Sequence, residues 1–222
     1  MRTYIEHIKK NWSKALHDKT SRSNLIGGII ALVFLAIFTY YFFDYIENRS
    51  GGVVMNDLIL RLIPARDVSI PIVFFEVTVI ILFIVRSTTD PAMLITFLLA
   101  YILILISRNI TIGITELRPP TGLIELKDPI AALIYKSKSI NRDLFYSGHT
   151  SLLFLFYLCA NKKTDKYYIL IAAISVGILL LIQHVHYTID IVCAPFFAYG
   201  CYWLSKKIPQ YSRGITLVKV KV

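Results

Sequence analysis

Residues 91–112 read PAMLITFLLAYILILISRNITI, a run dominated by apolar side chains. A helix on a soluble protein carries its apolar residues as a stripe, whereas a helix surrounded by lipid is apolar on every face. Comparable runs recur along the chain, which is 56% hydrophobic and has a positive mean hydropathy. The sequence therefore predicts an all-α, polytopic membrane protein.

Six transmembrane helices in one bundle are predicted. At about 1.5 Å per residue, the longer runs cross a hydrocarbon core of about 30 Å, and the fourth is short. A basic segment, residues 1–23, precedes the membrane domain, residues 24–205, and a tail, residues 206–222, follows it. The predicted helices are Asn24–Tyr45, Ser69–Val85, Pro91–Ile112, Phe145–Ala160, Tyr167–Gln183 and Tyr187–Ser205.

The distribution of basic residues predicts the orientation. With the N-terminus in the cytoplasm, the cytoplasmic segments hold fifteen of the 24 lysines and arginines, and the opposite face holds nine. The positive-inside rule therefore places both termini in the cytoplasm. The net charge of +10 does not indicate nucleic-acid binding, because the basic residues flank the apolar runs as topology signals do.

The N-terminal segment allows two interpretations. Ile5, Ile8, Trp12 and Leu16 recur at helical spacing, with lysines elsewhere on the wheel. This pattern fits a helix lying on the cytoplasmic leaflet, and it fits equally a solvated tail before the first span. The cysteines Cys159, Cys193 and Cys201 fall in or beside apolar runs without metal-ligand spacing, and neither a metal nor another cofactor is expected.

Two short motifs carry the residues most suited to chemistry: SGHT at 147–150 and HVHYTID at 184–190. In the second, His186 and Asp190 are four residues apart, so on a helix they share one face. A carboxylate there can fix the imidazole tautomer and leave the other ring nitrogen as a nucleophile or base. A helix-capping role is the alternative, but a carboxylate within an apolar run is costly unless it is paired or functional.

The first motif places His149 at the start of the fourth helix. Gly148 would let the backbone approach a phosphate, and the free N–H groups of a helix start favour anions. The imidazole could protonate a leaving oxygen. Taken alone, Ser147 and its neighbours could simply cap a helix, so the motif is informative only together with the second one.

Other polar residues are secondary candidates. Asp143 is close enough in sequence to orient His149, and Arg118 and Arg66 could neutralise phosphate oxygens. Glu76, inside the second span, could pair within the bundle or line a headgroup cavity. His184 would face away from His186. In the predicted topology all the outer candidates, from both motifs and both arginines, lie on the extracytoplasmic side.

These residues resemble the sphingomyelin synthase family, within the type 2 phosphatidic acid phosphatase superfamily. The segment DLFYSGHT at 143–150 is similar to the third motif of that family, and residues 184–190 are similar to the fourth. Pro64-Ala65-Arg66-Asp67 looks like a degenerate first motif, and Arg118-Pro119-Pro120 like the end of the second.

The resemblance implies a triad of His149, His186 and Asp190, supported by Asp143, acting on the extracytoplasmic or lumenal leaflet. That family transfers a phosphorylated headgroup from a glycerophospholipid to ceramide, and the wider superfamily hydrolyses lipid phosphates, typically without a metal. The substrate-binding residues expected here are Arg118, Ser147, Gly148, Arg66 and Tyr187.

The phosphatase branch carries two cations that this chain lacks. One is a lysine six positions before the arginine pair of the first motif; here Thr111 stands seven positions before Arg118. The other is an arginine six positions before the second histidine, where this chain has Leu180. These departures favour the synthase branch. The expected partners are a phospholipid donor, a ceramide or diacylglycerol acceptor and membrane lipids, and self-association is left open.

Two other functions stay open at this point. One is a lipid phosphate phosphatase that uses the same triad, and the other is a non-enzymatic transporter or scaffold whose histidines relay protons. A composition rich in isoleucine and lysine favours a bacterial inner membrane, with a Golgi or endoplasmic reticulum membrane as the alternative.

Overall fold

The computed structural model describes residues 2–129 and 140–209, with side chains from Tyr4 onward. Within these ranges the chain forms helices and no strand, so the predicted all-α class is confirmed. Most of the predicted tail, residues 210–222, lies outside the described residues. The helices are α1 Arg2–His17, α2 Lys19–Glu47, α3 Leu58–Leu62, α4 Ser69–Ser87, α5 Pro91–Ile114, α6 Gly148–Cys159, α7 Lys163–Ile182 and α8 Thr188–Ser205.

A helix occupies each of the six predicted positions. Four of them, α2, α4, α5 and α7, are long and apolar enough to cross a membrane, and α6 is a shorter apolar helix. The predicted start of the fourth helix at Phe145 is wrong. Phe145 has a φ of 123°, which a helix does not allow, and Ser147 caps the helix that begins after it.

The centre of the bundle is α6, which packs against α5, α7 and α8. Aromatic rings fill the space between α4, α5 and α6: Phe83, Phe97 and Phe156 have ring centroids 4.5–4.8 Å apart. The surrounding helices keep one apolar face outward, most extensively α2, which packs mainly on α5. This arrangement suits a bundle whose periphery meets lipid.

The N-terminal segment forms a helix that packs on the bundle. The side chains of Asn11 and Trp12 donate hydrogen bonds to the carbonyl oxygens of Thr89 and Thr88, at 2.9 and 2.8 Å, in the turn between α4 and α5. Ala15 is buried on the same side, while Tyr4 and the lysines face outward. α1 therefore covers the end of the bundle opposite to the two motifs.

Candidate active site

The loops at the motif end of the bundle are joined by a buried glutamine. Gln183, at the end of α7, has no solvent exposure. Its amide nitrogen donates to Ser69 Oγ and to the carbonyl oxygens of Ile124 and Glu125, and its oxygen accepts from the N–H of Val68. One side chain thus holds the start of α4, the 115–128 loop and the end of α7 in fixed positions.

His184 ends α7 and holds two further loops. It adopts a left-handed φ of 56°, and the N–H groups of His184 and Val185 bond to the carbonyls of Leu181 and Leu180, as in a Schellman motif. Its Nδ1 lies 3.0 Å from the carbonyl oxygen of Thr121, and its Nε2 lies 2.9 Å from that of Ile63. Both ring nitrogens are occupied, so the structure gives His184 a structural role.

His186 and Asp190 form the pair that their spacing predicts. Nδ1 of His186 lies 3.2 Å from Oδ2 of Asp190, and both side chains are buried. The same carboxylate oxygen accepts the backbone N–H of Tyr187 at 3.1 Å. Within residues 2–129 and 140–209 no group hydrogen-bonds to Nε2 of His186, so this nitrogen is available to a substrate atom.

The start of α8 is fastened by an aspartate from a distant loop. Asp57 accepts hydrogen bonds from the N–H and hydroxyl of Thr188, at 2.6 and 3.0 Å, and it also caps α3. Burial alone would raise the pKa of Asp57, but the hydrogen bonds that its carboxylate accepts outweigh this effect and hold the pKa below its usual value. Asp57 therefore stays ionised beside the helix start, where a negative charge is favourable.

Tyr187 lies fully buried rather than open to a substrate. Its hydroxyl donates to the carbonyl oxygen of Arg118 at 2.8 Å and accepts from the N–H of Met55 at 3.1 Å. Tyr187 thus joins the loops around the site, and its expected role in substrate binding stays a prediction.

A backbone hydrogen bond joins the two motifs. The N–H of Ser147 donates to the carbonyl oxygen of Asp190 at 3.0 Å. The Ser147 hydroxyl accepts from the N–H of Thr150 and Ser147 has no solvent exposure, so Ser147 caps α6; its expected contact with a substrate stays a prediction. His149, two residues later, is consequently held next to the start of α8.

A buried arginine lies against the first motif. Arg108, on α5, donates to the carboxylate of Asp143 and to the carbonyl oxygen of Tyr146. Its guanidinium carbon lies 3.0 Å from the position that a Cβ would take on Gly148. The carboxylate of Asp143 accepts its hydrogen bond from Arg108, and the expectation that Asp143 orients His149 stays a prediction.

Substituting Gly148 by alanine is expected to lower activity by at least about tenfold, since a Cβ would press on a guanidinium held by two charge-assisted hydrogen bonds. The matched control is Gly200→Ala on α8, where nothing lies within 4 Å of the added Cβ. Turnover and thermal unfolding of both variants check this. Equal activity in the two would contradict it.

His149 faces two carboxylates from different parts of the chain. Its Nε2 lies 3.5 Å from Oδ2 of Asp128 and 3.9 Å from Oε1 of Glu76, which is 7% exposed. Glu76, for which the sequence allowed pairing within the bundle or lining a headgroup cavity, thus lies beside His149. These three residues place one ligand atom each within 4.8 Å of one another, and among the described residues they are the group that could hold a metal ion.

The two expected phosphate-binding arginines lie farther out. The side chains of Arg66 and Arg118 are exposed, and Arg118 donates to the carbonyl oxygen of Ser50 at 3.3 Å. The neighbour of Arg66, Asp67, pairs with Lys127 at 2.7 Å, and this hydrogen bond lowers the pKa of Asp67 to about 2. That exposed ion pair positions Lys127 beside Asp128.

Three residues of the site are not among those predicted from the sequence: Arg108, Asp128 and Gln183. Arg108 carries a signal that could have found it, because an arginine inside a long apolar run is expensive unless it is buried and paired. Asp128 lies in a polar loop and Gln183 follows an apolar helix, where such residues are ordinary. No sequence spacing distinguishes them.

The geometry is that of a helical membrane protein with two imidazoles and several carboxylates at one end of its bundle. Residues 142–207, which include both motifs, match the family model described as PAP2 superfamily C-terminal. This match supports membership of the PAP2 superfamily. Comparison with curated proteins and with solved structures gave no match.

The superfamily match and the apolar helices together indicate an integral membrane protein, and the superfamily suggests lipid substrates. An enzyme of lipid phosphatase or phosphotransferase type is the activity that this superfamily suggests.

Proposed function

We propose that the protein is a lipid phosphotransferase of sphingomyelin-synthase type, which moves a phosphorylated headgroup from a phospholipid to ceramide or diacylglycerol. The observation that carries the proposal is the buried His186–Asp190 pair, joined through the Ser147–Asp190 hydrogen bond to the helix that holds His149. A nucleophile with its orienting carboxylate and a second imidazole are the parts that such a reaction needs.

In the first half-reaction, Nε2 of His186 attacks the phosphorus of the donor. The bond from phosphorus to the diacylglycerol oxygen breaks, and His149 gives that oxygen a proton. Asp190 keeps Nδ1 of His186 protonated and stabilises the positive charge that develops on the ring. The products are diacylglycerol and a phosphohistidine that carries the headgroup.

In the second half-reaction, the hydroxyl of the acceptor lipid attacks the same phosphorus. His149 takes the hydroxyl proton, the phosphorus–nitrogen bond breaks, and His186 returns to its free form. Glu76 and Asp128 lie beside Nε2 of His149 and position it for both proton transfers. Arg108 and the start of α6 place positive charge near the phosphate oxygens.

The low exposure of His186 and Asp190 favours transfer over hydrolysis. His186 is 3% exposed and Asp190 is fully buried, so bulk water has little access to a phosphohistidine. In the proposed topology all six helices cross the membrane, both termini are cytoplasmic, and the site faces the other side. Arg66 and Arg118 are then outer cations that attract the donor headgroup.

The test is reconstitution with a fluorescent ceramide or diacylglycerol and a panel of phospholipid donors, followed by separation of the lipids. A new phospholipid that disappears in both His149→Ala and His186→Ala supports transfer. Triad-dependent release of phosphate from a lipid monophosphate, without need for an acceptor lipid, would assign hydrolysis instead. Wild-type activity in both variants would contradict the triad altogether.

Treatment with EDTA is expected to leave turnover unchanged within about twofold, because the histidines and a helix N-terminus supply the chemistry. The control is the same protein with added Zn²⁺, which is expected to inhibit if it binds at Glu76, Asp128 and His149. Loss of activity in EDTA that Zn²⁺ restores would instead give these residues a catalytic metal.

A further inference from the structure

The end of the bundle opposite to His149 contains a cavity of about 200 Å³. It opens where α6 ends, between the starts of α5 and α7 and the end of α8. Its inner wall is formed by buried residues, Met93, Thr96 and Cys159. Its outer wall includes Lys166 and Lys206. The cavity therefore has a buried inner surface and a positively charged opening.

The two lysines are held by aromatic rings rather than by acids. Nζ of Lys166 lies 5.0 Å from the ring centre of Tyr157, and Nζ of Lys206 lies 4.9 Å from that of Tyr202. In the part of the chain that the structure describes, neither has a carboxylate within ion-pair distance. A cation–π contact leaves the ammonium N–H groups free to donate, so both remain able to bind an anion.

The acidic residues nearby are already engaged. Asp165 forms a bidentate ion pair with Arg86 at 2.7 and 3.1 Å. Asp90 caps α5 at Met93 and accepts from the side chain of Asn161 at 2.7 Å. Lys162, Lys163 and Lys207 add further positive charge around the opening, so the surroundings of the cavity are strongly cationic.

We infer that this cavity binds the phosphate group of an anionic phospholipid from the leaflet at that end of the bundle. Basic pockets between membrane helices are suited to anionic headgroups, and the local charge attracts such lipids to the opening. The phosphate lies between Lys166 and Lys206. The inference does not depend on the proposed reaction, because the cavity and the triad lie at opposite ends of α6.

The test uses native mass spectrometry of the full chain with phosphatidylglycerol and, separately, phosphatidylcholine. The variant Lys166→Gln/Lys206→Gln is expected to weaken phosphatidylglycerol binding at least about tenfold, since two charge-assisted contacts are lost. The matched control, Lys163→Gln/Lys207→Gln, removes the same charge outside the cavity wall and is expected to change binding less than about threefold.

Equal losses in the two variants, or none in either, would overturn the site, because diffuse attraction would then account for the binding. Equal binding of phosphatidylcholine and phosphatidylglycerol would also overturn the site. Inorganic phosphate at tenfold excess over the lipid is expected not to displace it. Displacement would reassign the cavity to free phosphate and overturn the lipid assignment. Thermal unfolding confirms that both variants fold.

Discussion

Replacing His186 by alanine is expected to reduce headgroup transfer by at least about 10³-fold while leaving the protein folded, because the substitution removes the attacking nitrogen. The imidazole is buried against Asp190, which would lose its partner. Even so, Asp190 keeps the backbone N–H of Tyr187, so the start of α8 is retained. Turnover of the fluorescent acceptor lipid measures the loss.

The variant Asp190→Asn tests the role of the orienting carboxylate independently of the His186 nucleophile. The amide cannot stabilise a charged imidazole and favours the wrong tautomer, so a loss of about 10²–10⁴-fold is expected. His17→Ala is the matched control, since this exposed histidine lies on α1 at the other end of the bundle. Full activity in His186→Ala, with folding verified by thermal unfolding, would refute the nucleophile assignment.

Arg108→Met is expected to lower both stability and activity. Arg108 is buried and Asp143 is partly buried, so removing the guanidinium leaves this carboxylate and the carbonyl oxygen of Tyr146 without their donor, at a cost of about 1–3 kcal/mol. Activity falls further because the positive charge beside Gly148 is lost. Thermal unfolding in detergent and turnover at a temperature where the variant is folded measure the two effects separately.

Two companion variants test the origin of these effects. Arg108→Met/Asp143→Leu removes both charges, so it is expected to recover part of the stability but none of the activity. Arg108→Lys keeps the charge but not the planar fork, and an intermediate activity is expected. If the double variant were as active as the wild type, Arg108 would have no role in binding the phosphate.

The helices were predictable because a long apolar run with lysine-rich flanks is stable as a helix in lipid and poorly suited to a water-soluble fold. The pairing of His186 with Asp190 was also predicted, but its geometry was not: α8 begins at Thr188, so His186 lies just before the helix and its ring reaches a carboxylate in the first turn. The partners of His149 were not. Glu76 and Asp128 reach it from separate segments, and contacts between distant segments depend on the packing of several helices, which no local pattern encodes.

Two residues of the motifs make structural contacts. Ser147 and Tyr187 belong to motifs, but their hydroxyl groups are buried and form hydrogen bonds with the backbone. These side chains therefore stabilise the fold. Arg108, in contrast, belongs to no motif, although its burial among apolar residues marks it. In a membrane helix, an isolated charge is a stronger signal than membership of a motif, since lipid gives it no other partner.

The short helix α6 determines how deep in the bundle the candidate catalytic residues lie. The Tyr146 hydroxyl donates to the carbonyl oxygen of Ile104, ten residues and therefore about 15 Å before α5 ends. Arg108, six residues before the end of α5, reaches Gly148, so the neighbouring His149 lies beneath the loops that cover that end of the bundle. If the substrate is a phospholipid, as proposed, its polar end has to reach this recess, and a narrow headgroup does so more readily than a branched glycan. Depth itself, rather than any one contact, would then filter the lipids that react.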